Sequence, residues 1–167
     1  NHVFGADDNQ RVFSPTYGIG LYLENWYQAT STSTTYAKNY IKDNYKAMIA
    51  TGGENGDGVV WYTGPTSGVL NDYTKAKTGT PVSATIGLGR YGEMFSTQFG
   101  DGGSSSLAIW LMTIATNTTV WYYYNSSLLN HVSPTTSVPV RPSFYLKADV
   151  KITGGSGMPH NPYQISQ

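Results

Sequence analysis

"NTTVWYYYNSSLLNHVS", residues 117–133, sets five large side chains in one unbroken run between amides and hydroxyls. Read as a strand, the run puts Val120, Tyr122 and Tyr124 on one face and Trp121 and Tyr123 on the other, because successive side chains alternate. Large residues on both faces mean a strand in mid-sheet, or one whose second side lies under loops. Tyrosine suits such a boundary, since its ring packs while its hydroxyl stays wet. Just upstream, "LAIWLMTIA" is another apolar stretch of strand length, so two strands in succession are expected here.

Working outward, "VVWYTG" reads as a strand, and "TIGLGRYGEMFSTQFG" as a short strand running into a short helix at about residues 90–98. The clearest helix is "STSTTYAKNYIKDNYKAMIATGG". Its Ser and Thr residues are N-cap candidates, Tyr36, Tyr40, Ile41, Tyr45, Met48 and Ile49 fall near one face, and Gly52 and Gly53 end it. Near the start, "RVFSPTYGIGLYLENWYQ" alternates weakly, loosened by Gly18 and Gly20, and predicts one or two short strands. The stretches "GENGDG", "PTSGVLNDYTKAKTGTPVSA" and "DGGSSS" read as loops. Polar "SLLNHVSPTTSVP" turns back into a last core strand, "VRPSFYLKADVKI", and "GGSGMPHNPYQISQ" is a Gly/Pro-rich tail. With no internal repeat, linker or compositional break, the expectation is one compact α+β domain over residues 1–167, with many short strands and two helices.

Composition narrows the function. Ten basic residues cancel ten acidic ones, so no basic patch invites nucleic acid or an anionic membrane. Only 12% of residues are charged, and solubility rests on hydroxyls and amides, a profile typical of secreted surface domains. The chain has no cysteine, which excludes disulfides, thiol nucleophiles and cysteine-ligated zinc. No apolar run approaches the roughly 20 residues that span a bilayer. The opening "NHVFGADDNQ" has no signal-peptide pattern and reads as the start of a trimmed ectodomain, with any export signal or anchor upstream.

Candidate chemistry is sparse. Glu24, Glu54 and Glu93 are far apart in sequence, and nothing pairs them as a glycosidase would require. Glu93 is explained by an i, i+3 ion pair with Arg90. His2, His131 and His160 lack metal-ligand spacing, and no nucleophile turn is present. "GADDNQ" with Asp7, Asp8 and Asn9, "ENGDG" with Glu54, Asn55 and Asp57, and Asp101 offer oxygen ligands, yet none matches a calcium loop. No cofactor and no enzymatic role are therefore expected, with calcium in these loops left open but supported by no motif. Asn117 and Asn125 each begin an N-glycosylation sequon, a pattern that matches often by chance.

In their order, "VVWYTG", "TIGLGRYGEMFSTQFG", "IWLMTIATNTTVWYYYNSS", "VPVRPSFYLKADVKITGGSG" and "NPYQI" resemble a family of poorly characterised domains of Gram-positive bacterial surface proteins. Some members of that family follow a prepilin-type helix. The resemblance covers about residues 59–165, while 1–58 match only as N-terminal strands and a helix in the expected place. The W-L and V-R-P arrangement also resembles a C-type-lectin-like core. Two features depart from it: Met112 stands where relatives of that fold often carry Arg, and the sugar-binding calcium motifs of animal lectins are missing.

The resemblance implies an extracellular, non-catalytic adhesion module, such as the globular head of a minor or tip pilin-like subunit. Its partners would be a host-cell or environmental glycan or protein, bound through an aromatic and amide surface at residues 116–139. The contacts implied are Trp121, Tyr123, Asn125 and Asn130. Arg141 reads first as a structural donor tying loop carbonyls together, and second as a ligand contact. The alternative is a structural fibre subunit whose aromatic face packs against sibling pilus subunits.

Overall fold

The computed structural model describes residues 1–28, 41, 43–51, 60–62, 79–91, 93, 108–124, 128–158 and 160–167. At its centre is the expected pair of apolar strands, β4 (Ala108–Ile114) and β5 (Val120–Tyr124), joined by a turn over residues 115–119. That turn is closed by Ala115 N–H to the Thr119 carbonyl at 3.0 Å and by Thr118 N–H to Thr116 Oγ1 at 3.2 Å. A third strand, β6 (Leu128–Val132), pairs antiparallel with β5 in the order β4–β5–β6. The sequence reading has a polar turn where β6 runs. Its residues are not apolar in alternation, and pairing against all five residues of β5 decides the matter.

The sheet packs on both faces. Trp110, Met112 and Val120 join the main core, with Tyr122 against them. Ile109, Leu111 and Tyr123 form a second cluster with Tyr91, Trp121 and Leu129. The main core gathers Phe4, Phe13, Ile19, Leu23, Tyr27, Ile49, Trp61, Ile86, Leu88 and Val138 from the whole length of the described chain.

The expected strands near the start are instead a helix, α1 (Gly18–Gln28). Ile19, Leu23 and Tyr27 recur every four residues and are buried, a helical stripe that outweighs the weak alternation. Gly18 starts the helix at φ 54°, a conformation that side-chain-bearing residues avoid. A Cβ at Gly18 or Gly20 would collide with the carbonyl of Phe4 or Ser14. Glu24 on this helix accepts backbone N–H bonds from Thr85 at 2.6 Å and Ile86 at 3.1 Å. Lys46 donates to the Tyr27 carbonyl at 2.9 Å, satisfying one of the acceptors that a helix leaves open at its C-terminus.

Of the helix expected around residues 31–53, residues 31–40, 42 and 52–53 lie outside the described residues. The described part is one turn, α2 (Asp43–Lys46), which stops well before Gly52. Ile49 and Ala50 are instead extended: Ile49 bridges Leu146, and Ala50 N–H bonds the Tyr145 carbonyl at 2.9 Å. β2 (Val60–Tyr62) appears as expected and pairs with β3 (Pro81–Ser83). The helix expected at residues 90–98 lies almost wholly outside the described residues, of which Arg90, Tyr91 and Glu93 form a turn.

Two C-terminal expectations change. Residues 140–150 form no continuous core strand: they touch the body through the Ser143–Gly87 and Leu146–Ile49 bridges, and Phe144, Tyr145 and Leu146 stay exposed. Pro142 lacks an N–H, which interrupts any ladder there. The Gly/Pro-rich tail is ordered as a hairpin of β8 (Lys151–Gly154) and β9 (Gln164–Ser166). At the other end, β1 (His2–Val3) pairs with β7 (Ser137–Val138), tying the start of the chain to the strand beside the sheet. Over the described residues the architecture is α+β, mostly short strands with two helices.

Candidate functional site

The outer face of the three-stranded sheet carries the aromatic feature that the sequence singled out. Trp121 on β5 stands directly opposite His131 on β6, and their rings meet edge to face at 5.1 Å. On its other side Trp121 meets Tyr91 at 5.0 Å and 61°. Tyr91 is positioned by a self-closed turn: Arg90 N–H donates to Glu93 Oε2 at 2.8 Å, Glu93 N–H to the Arg90 carbonyl at 3.1 Å, and the two side chains pair at 3.4 Å. Tyr91 N–H then bonds Thr113 Oγ1 at 2.9 Å, fastening that turn to β4. The expected Arg90–Glu93 pair is thus present, and its work is to hold a ring in place.

Three rings in a row, Tyr91, Trp121 and His131, lie across one face of the sheet, with His131 exposed and the other two half-buried. Among the described residues, Trp121 Nε1 is the one buried side-chain polar atom with no hydrogen-bond partner. An indole N–H in that state is unusual, because buried donors nearly always find an acceptor.

Among the described residues the anticipated contacts fall on different faces. Trp121 and Tyr123 share the outer face as alternation requires, but Tyr123 is only 8% exposed and supports the cluster from within. Asn130 pairs with Tyr122, so it projects towards the opposite face. Its Oδ1 accepts the N–H of His131 at 2.8 Å. Arg141 is exposed and lies across β4 from β5, on a segment where the Pro139 carbonyl accepts Trp110 N–H at 3.1 Å. Asn125 lies outside the described residues, as do Glu54, Asn55, Asp57 and Asp101. Sequence reasoning passed over Tyr91 and His131. His131 becomes visible once β6 is registered against β5, whereas Tyr91 is 30 residues from Trp121 and no local pattern links them.

Other polar groups are occupied structurally. Glu24 and Glu93 are bonded to backbone N–H groups as described above. Asp7 Oδ1 accepts the N–H of Asn9 at 2.7 Å, and Asp8 Oδ1 accepts the Ser133 hydroxyl at 2.7 Å. Among the described residues no three acidic, histidine or cysteine side chains gather as a metal would require, and no helix is long and apolar enough to cross a membrane. The chain matches no protein-family model, no curated protein and no solved structure.

Proposed function

We propose that the chain is an extracellular, non-catalytic binding module with a C-type-lectin-like core, the head of a surface adhesin or of a minor pilin-like subunit. It recognises a glycan or protein of a host cell or the surroundings through the Tyr91–Trp121–His131 row. The observation that carries this reading is Trp121: two neighbouring rings bracket it, and its N–H has no acceptor. A ligand oxygen that reached the indole with a small ring shift would supply that acceptor. The aromatic edges provide the apolar contact that sugars and peptides both use.

The test is binding of the purified chain to a glycan array and to cells, with His131→Ala and Trp121→Phe beside the wild type. His131 is exposed, so its loss spares the fold. Binding weakened about tenfold or more in both variants, at unchanged melting temperature, is the expected result. Unimpaired binding by both would dispose of the site. Self-assembly of the wild type that the same variants abolish would favour the fibre-subunit reading.

A further inference from the structure

β4 reads AIWLMTI, and Thr113 is its one hydrophilic residue. The side chain is wholly buried. A hydroxyl in such a place costs stability unless it is bonded, and Tyr91 N–H donates to its Oγ1 at 2.9 Å. The strand is also irregular at this point. Trp110 pairs with Tyr122 and Ile114 with Val120, so three residues of β4, Leu111, Met112 and Thr113, stand opposite Trp121 alone. Bulges re-aim side chains and recur beside functional sites.

The irregular stretch of β4 takes hold of the segment that carries Tyr91. Met112 N–H donates to the Gly89 carbonyl at 2.9 Å, and the next residue, Thr113, accepts from Tyr91. Leu111 joins Tyr91 and Trp121 in the outer cluster. The place where β4 loses register with β5 is therefore the place that brings Tyr91 to 5.0 Å from Trp121. The Arg90–Glu93 pair closes the turn on itself across three residues, whereas the Thr113 bond spans 22 residues and ties that turn to the sheet.

We infer that Thr113 is a positioning residue of the aromatic row: its buried hydroxyl, presented at the bulge, fixes Tyr91 against Trp121 and so sets the affinity for ligand without touching it. The inference rests on the binding reading above. A ring held in place before the ligand arrives has little freedom left to lose on docking, so the bond to Thr113 raises affinity by preorganisation. The same bond explains why a hydroxyl stands in an otherwise apolar strand.

Thr113→Val keeps the shape of the side chain and removes the acceptor, and Thr113→Ser retains it. In the wild type, the Tyr91 amide should exchange at least about tenfold more slowly than in an unfolded chain, and Thr113→Val should abolish most of that protection. The indole N–H resonance of Trp121, identified by its loss in Trp121→Phe, should move in Thr113→Val and stay in place in Thr113→Ser. Binding to the glycan array and to cells should weaken about fivefold or more in Thr113→Val and be kept in Thr113→Ser. Free exchange of the Tyr91 amide in the wild type would overturn the inference without recourse to any variant. Unchanged binding by a Thr113→Val chain whose Tyr91 has been released would overturn it too. A wild type that binds nothing, with Tyr91 released in Thr113→Val, strikes the binding reading and upholds the placing of Tyr91 by Thr113.

Discussion

Of the three tryptophans in the described residues whose surroundings are defined by neighbouring rings, two have satisfied indoles. Trp61 Nε1 donates to the Ala84 carbonyl and Trp110 Nε1 to the His2 carbonyl, each at 2.8 Å. Trp121 Nε1 donates to nothing. A buried donor without an acceptor costs about 1–3 kcal/mol, so deleting it returns part of what is lost with the larger ring. Trp121→Phe should therefore stay within about 1 kcal/mol of the wild type in urea denaturation. Trp110→Phe removes a made bond and a core ring, and should cost about 2–3 kcal/mol. Equal losses for the two would mean that the Trp121 indole is satisfied in solution.

At the scale of elements, the contact between β2 and residues 84–89 shows what packing adds to propensity. Trp61 lies flat on Gly87, where a Cβ would come within 2.6 Å of the ring, and Gly87 also exchanges backbone bonds of 2.8 and 2.9 Å with Ser143. Gly87→Ala must push the ring off its seat, and Trp61 is held by its N–H bond to the Ala84 carbonyl and by the tilted Tyr145 ring at 4.7 Å. A loss of about 1–3 kcal/mol in the denaturation midpoint is expected; a neutral substitution would show that Trp61 can tilt freely. The same logic explains which elements were legible. β2, β4 and β5 carry dense apolar residues and were readable from local pattern. α1 is not legible because Gly18 and Gly20, which permit its close approach to Phe4 and Ser14, are poor helix formers, and the weak alternation around them masks the stripe of Ile19, Leu23 and Tyr27. β6 and β9 are polar or short, and exist because a neighbouring strand completes them. The same limit applies to the site: Trp121 is visible as a residue type, while Tyr91 and His131 depend on register and on a turn fastened to Thr113.

Across the whole molecule, closure depends on joining distant parts of the chain, and His2 stands at that junction. Its backbone pairs with Val138, its carbonyl accepts the Trp110 indole, and its ring stacks on Tyr22 of α1 at 4.2 Å and 27°. β1, β7, β4 and α1 therefore meet around a single titratable residue. Burial, its largest cause, lowers the His2 pKa below the ordinary 6.5, so the unfolded chain binds a proton more readily than the folded one. The contribution of His2 to stability is complete above pH 6.5, declines as the pH falls below that value, and levels off beneath the lowered folded-state pKa. His2→Phe keeps a ring against Tyr22 and removes the titration. The difference in urea midpoint between variant and wild type should then shift in favour of the variant as the pH is lowered from 6.5 to about 5, while ionisations common to both cancel. A difference that stays constant over that interval would show that the His2 ring remains solvated and that the junction is indifferent to its charge.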